Sequence, residues 1–250
     1  MLVRGRPAGG RRTATLRRSI RLLREFRHEQ TDPERFYRAV ADDSVAQLAA
    51  WTDLDGARLL DVGGGPGYFR DAFRAAGADY VALDADVGEL SGAGDIPPGT
   101  VIGSGMQLPF RDASVDVCYS SNVLEHVPDP WRMAEEMVRV TRPGGLVYLS
   151  YTVWFGPWGG HETAPWHYLG GRRARRQYVR RHGHEPKNRY GETMFGVTVA
   201  EGLGWARGQR LGDVVAVLPR YNPWWSHWLL RVPLLREVVT WNLVLVLRRT

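Results

Sequence analysis

The run Leu59-Leu60-Asp61-Val62-Gly63-Gly64-Gly65-Pro66-Gly67-Tyr68-Phe69 constrains this chain more than any other. Residues 58–62 read as a short buried strand. Glycines follow at once, and a helical stretch runs on to Ala76. Glycine lets the backbone of such a turn adopt positive φ and approach a ligand closely. In an α/β sheet a strand-to-helix turn lies at the carboxyl end of the strand, where nucleotides bind. The spacing is not the dinucleotide fingerprint G-x-G-x-x-G, because Tyr68 stands where the third glycine belongs. It is D-x-G-x-G-x-G, carried by Asp61, Gly63, Gly65 and Gly67, and it has no pyrophosphate to cradle. Alone, it is also compatible with a purely structural turn.

The pattern around the turn repeats strand and helix. Further strands are expected at 80–84, 101–103, 115–120, 146–151, 214–218 and 242–247, with helices at 130–141 and 197–205. This alternation predicts a parallel sheet with right-handed crossovers. Asp84 falls 17 residues past Gly67, at the end of the second strand, where an acid accepts hydrogen bonds from ribose hydroxyls. Asp86 is its possible substitute. Before the first strand, Leu16, Ile20, Leu23 and Phe26 recur at helical spacing over residues 13–28. Asp32-Pro33-Glu34 then reads as an N-cap, a first-turn proline and an early acid, opening a second helix that reaches about Trp51.

With these motifs in order, the chain resembles the class I S-adenosylmethionine (SAM)-dependent methyltransferases of the type 11 family. The resemblance covers roughly residues 58–151. It rests on LLDVGGGPGYF (59–69), YVALDAD (80–86), GSGMQLPF (103–110), SVDVCYSSNVLEHVPDP (114–130) and RVTRPGG (139–145). It implies a Rossmann-like seven-stranded α/β sheet, mostly parallel with an antiparallel last strand and flanked by helices. It also implies that Asp61, Gly63, Gly65 and Gly67 hold the methionine end of SAM, Asp84 its ribose, and Asn122 the methyl side. In the family the residue after the glycine of the third motif is commonly an acid that receives the adenine amino group. Here it is Ser104, which leaves adenine to lean on backbone groups and on Met106 or Leu108.

Residues 121–126, Ser-Asn-Val-Leu-Glu-His, should face the transferred methyl. His126 is a candidate general base, with a packed structural histidine as the alternative. Residues 152–192 break the strand–helix rhythm and are too long for a connector, so a lid or substrate-binding insertion is expected after the fifth strand. It supplies His161, Glu162, His167, His182 and His184 as further candidate bases, with His161 and His167 foremost. Aromatic residues such as Trp154, Phe155, Trp158 and Trp166 give it an apolar wall. This insertion and residues 221–240 are expected to meet over the carboxyl ends of the strands. The spacing of the histidines matches no compact zinc motif, so no metal is expected.

The single cysteine, Cys118, permits no intramolecular disulfide and points to a reduced, cytoplasmic setting. Charge is concentrated at one end: residues 1–30 hold nine arginines against Glu25 and Glu29, a net +7 within a total of +6. Residues 1–12 read as a disordered basic tail, 13–51 as a helical cap and 52–250 as the methyltransferase domain with its two insertions. No apolar run follows the basic segment as in a secretory signal. Arginines at 172, 173, 175, 176, 180 and 181 fit a solvated helix face, an anion or lipid-headgroup site, or nucleic-acid contact. No recognised RNA-binding module is present, and nucleic acid is not expected as a partner. Trp224, Trp225 and Trp228 with neighbouring leucines suit either packing over the sheet edge, or an apolar acceptor tunnel with shallow contact at the inner membrane surface. The expected activity is methyl transfer to a small-molecule or lipid-linked acceptor, at oxygen. A nicotinamide-dependent oxidoreductase and a non-catalytic SAM-binding or membrane-surface protein are the alternatives.

Overall fold

A computed structural model describes residues 14–28, 31–86, 88 and 99–250. The proposed disordered tail lies outside these residues. Among them the strands are β1 (Arg58–Val62), β2 (Asp79–Asp84), β3 (Thr100–Ile102), β4 (Val115–Ser121), β5 (Thr141–Thr152), β6 (Gly212–Pro219) and β7 (Asn242–Arg249). They form one sheet in the order β3-β2-β1-β4-β5-β7-β6. The first five run parallel, and β7 is antiparallel to both β5 and β6. The expected Rossmann-like sheet with its reversed last strand is therefore present. β5 extends at both ends beyond its expected 146–151, because its early residues pair with Val115 and its last ones with β7.

Alternating side chains on the buried strands serve two layers, as the two-residue period of a strand requires. On one face Leu59, Tyr80, Val117, Tyr119 and Tyr148 pack with Phe36, Val40 and Leu48 of α2 (Pro33–Leu48) and Phe73 of α3 (Arg70–Ala75). On the other, Leu60, Cys118, Val147 and Leu245 pack with Met133 and Met137 of α4 (Pro130–Val140) and Leu203 of α6 (Val199–Gly208). The helix starts follow capping chemistry. Asp32 and Asp129 each accept a backbone N–H two residues inside a first-turn proline, and Thr198 with Glu201 makes a reciprocal capping box.

The N-terminal helix α1 (Leu16–Phe26) is fastened to this body by buried charge. Arg18 donates to both oxygens of Asp43, at 2.5 and 2.6 Å, and to the carbonyl of Arg220. Arg220, itself buried, reaches Ser121, Ser150 and Ser44. The insertion after β5 carries α5 (Gly171–His182), and α7 (Leu235–Val239) follows a 3-10 segment, Trp224–Arg231. The ring of Trp158, in the insertion after β5, stands edge to face at 6.0 Å with Trp241, just ahead of β7, and also contacts Phe26 of α1. No helix among the described residues is long and apolar enough to cross a membrane.

Candidate active site

The glycine turn follows β1 directly. Gly63, Gly65 and Gly67 all have positive φ, at 82°, 51° and 89°. A Cβ on Gly63 would fall 2.3 Å from Val123, so the loops after β1 and β4 are in direct contact there. A Cβ on Gly65 would meet nothing within 4 Å, which leaves that edge of the turn open to a ligand. The turn is tied to β2 through Gly63 N–H donating to the Leu83 carbonyl and Gly65 N–H donating to Asp84 Oδ2 at 2.9 Å. Asp84 Oδ1 accepts from the Asp86 N–H, so Asp86 orders the turn beyond Asp84. Each carboxylate oxygen still has a lone pair to offer.

Asp61 is buried beneath the turn and accepts from the Tyr80 hydroxyl at 2.7 Å. Burial pushes its carboxyl up to about 7, partly opposed by the Tyr80 hydrogen bond. Ser104 spends its hydroxyl locally, accepting from Met106 N–H at 3.2 Å. The segment it opens is held from α4, where buried Glu136 accepts from Leu108 N–H and Arg132 donates to the Met106 carbonyl. Asn122 has φ of 57°, and its side-chain oxygen accepts from Asn242 at 2.6 Å.

Beyond Asn122 a 3-10 turn, Leu124–His126, delivers two groups to one place. Glu125 is 2% exposed; its Oε1 accepts from Thr152 N–H at the end of β5, and its Oε2 has no partner among the described residues. His126 Nδ1 lies 2.8 Å from the Thr193 carbonyl. A carbonyl can only accept, so Nδ1 carries the proton and, in the neutral ring, Nε2 is the acceptor. His161 comes in from the insertion with φ of 47°, its ring edge to face with His126 at 5.3 Å. Its Nδ1 is buried and unpartnered among the described residues, and burial together with His126 holds its pKa below the ordinary imidazole value. One ligand-type atom from each of Glu125, His126 and His161 lies within 4.8 Å of the others.

The remaining candidates take other places. His167 is fully buried; its Nε2 donates to the Gly156 carbonyl at 3.2 Å, its ring packs against Trp154, and Gly160 abuts it. It supports the insertion from below. Glu162 accepts twice from Asn188 and ties the insertion to its own return segment. His182 and His184 cluster with Tyr178 at the exposed end of α5. The sequence does not single out Glu125, although it adjoins His126; its one signal is an acid between apolar Leu124 and the candidate base. A separate cleft at the amino ends of the strands is lined by Arg58, Asp116 and Arg142, whose charges already pair with one another.

Residues 60–149 match the family described as a methyltransferase domain. The chain is 56% identical over 246 residues to an uncharacterized methyltransferase of Mycobacterium tuberculosis H37Ra, spanning 94% of this chain and 96% of the relative. It is 55% identical to one from Mycobacterium marinum over the same shares. Among solved structures it is similar to a Mesorhizobium loti S-adenosylmethionine-dependent methyltransferase, with TM-score 0.56, 21% identity, and coverage of 84% of this chain and 98% of that one. SAM-bound magnesium protoporphyrin IX methyltransferase from Synechocystis overlays with TM-score 0.52, 14% identity and 91% of each chain. At such identities these two structures speak to the fold.

Proposed function

The chain belongs to the methyltransferase family, and from that premise we propose that it moves a methyl group from SAM to an oxygen of a small-molecule or lipid-linked acceptor. The residues present suit SAM. The open face at Gly65, the buried acid Asp61 and the strand-end acid Asp84 offer a close backbone approach, a counter-charge and a diol acceptor in one crevice. When bound, SAM supplies an activated methyl on a sulfonium. Asp61 holds the cationic methionine end, Asp84 the ribose, and Ser104, Met106 and Leu108 border the adenine. Asn122 bounds the methyl side.

The observation that carries the choice of oxygen is the convergence of Glu125, His126 and His161, one strand over from the glycine turn. A hydroxyl must lose a proton as it attacks, and a carboxylate with two imidazoles beside it promotes that loss. An in-line approach set by the surrounding walls supplies much of the rest. His167 acts as a positioning residue for the His161 turn. We further read the protein as cytoplasmic with peripheral contact at the inner membrane surface, supported by Trp225 and Trp228, exposed at 55% and 56%, and by the arginines Arg17, Arg21 and Arg24 on the exposed face of α1.

Turnover of methyl-labelled SAM in fractionated lipid and polar extracts tests the reading. The expected product carries label as a methyl ether or ester, separable by alkaline hydrolysis. Label found only on nitrogen, or SAM left unconsumed by every fraction, would sink it.

A further inference from the structure

The buried groups around Glu125 are poorly satisfied as they stand. Leaving a donor or acceptor without a partner costs on the order of 1–3 kcal/mol, and more for a charged group. Here two such atoms, Glu125 Oε2 and His161 Nδ1, belong to the same small cluster. The third member is oriented: the Thr193 carbonyl fixes the tautomer of His126 and leaves Nε2 to accept. Glu125 is likewise held from behind through Oε1 and Thr152 N–H. Side chains whose outer atoms are fixed by backbone groups, with inner lone pairs converging, are built as metal sites are built.

We propose that Glu125, His126 and His161 bind a divalent first-row transition-metal ion. Two imidazoles and one carboxylate form a donor set that such ions favour, and three protein ligands leave positions open for water or a substrate atom. Bonds of about 2.0–2.2 Å place ligand atoms roughly 3–4 Å apart, so atoms now within 4.8 Å need only a small inward movement. Separation in the chain hid this arrangement: two ligands follow β4 and the third comes from the insertion.

The inference rests on the reading that this cluster faces an oxygen acceptor, and it gives the cluster its means of action. The ion acts as a Lewis acid on the acceptor hydroxyl. The O–H bond breaks and its proton leaves to water. The oxygen then forms the new O–CH3 bond while the S–CH3 bond breaks, its electron pair staying on sulfur. Nothing is oxidised or reduced. His126 and His161 then serve as ligands rather than as proton acceptors.

The full chain, stripped with EDTA, is titrated with Co2+ and Zn2+ by calorimetry and visible absorption. One equivalent of Co2+ with ligand-field bands, displaced by Zn2+, is expected. His126→Ala and His161→Ala should each weaken binding by about 100-fold or more, since even outer contacts of such sites are worth 10–100-fold. His184→Ala, at the far end of the insertion, should change nothing. SAM affinity within threefold of the parent shows that each variant is folded. Absence of saturable binding, or binding untouched by both histidine variants, overturns the metal site. Full methyl transfer by stripped protein overturns the Lewis-acid role. A metal-loaded protein that never methylates oxygen refutes the functional reading instead, and leaves the site standing.

Discussion

At the residue scale, Asp61 shows how burial sets chemistry. Its carboxyl is pushed to about 7, well above the 3.8 of an exposed aspartate, by loss of water beneath the glycine turn. Between those values the folded chain holds a proton that the unfolded chain has released. This contribution to stability therefore falls as pH rises from about 4 to about 7. Binding has the opposite sign. A cationic ligand favours the ionised form, so SAM affinity should strengthen as pH rises through about 7, with proton release on binding near neutrality. Calorimetry in buffers of different ionisation enthalpy reads that proton directly; a flat profile between pH 6 and 8 would remove Asp61 from the ligand site. Asp84→Ala should weaken SAM by about 1.5–3 kcal/mol through loss of charge-assisted hydrogen bonds. Unchanged affinity would move the ribose contact elsewhere. The sequence singles out Asp84 by its place at a strand end and Asp61 as the head of the D-x-G-x-G-x-G run, but not Tyr80 as the partner of Asp61, because that pairing crosses between β1 and β2.

At the element scale, the turn between β1 and α3 makes two different demands. Gly65 has positive φ with open space beside it, so Gly65→Val strains the backbone but collides with no neighbour, and should nearly abolish SAM binding at a smaller cost in melting temperature than a substitution at Gly63. Gly63 has positive φ and no room, because any Cβ collides with Val123. Gly63→Ala should lower the melting temperature as well as SAM affinity. Equal thermal stability for the two variants would contradict this division. The strands were legible because short apolar runs bounded by turn residues recur at regular intervals. The insertion was legible only as a break in that rhythm. Which of its histidines turns inward depends on backbone that no periodicity encodes: φ of 47° at His161, and a packing shell of Trp154 and Gly160 around His167.

At the scale of the whole molecule, α1 and α2 are bound to the sheet by one buried ionic network. Asp43 lies between Arg18 and the neighbourhood of Arg220, which in turn grips Ser121 and Ser150. Removing the one carboxylate strands buried guanidinium charge, so Asp43→Ala should cost about 3–5 kcal/mol in denaturant unfolding. A loss below 1 kcal/mol would mean that the helices dock through their apolar faces alone. The same assembly exposes Trp225, Trp228 and Leu234. Co-sedimentation with phosphatidylglycerol vesicles should fall for Trp225→Ser combined with Trp228→Ser; undiminished sedimentation would free that segment from the membrane. What the sequence determined by itself was local and periodic: the glycine turn, the strand-end acids, the alternation that makes a parallel sheet, and the charge gathered near the N-terminus. Tertiary structure alone decided what depends on distance through space. It joined Glu125 and His126 to His161 and packed the His167 ring against Trp154 and Gly160. It also buried Arg220 against serines from two strands. Pairings of this kind are set by how loops pack over strand ends, and the energy that selects them is shared among residues far apart in the chain.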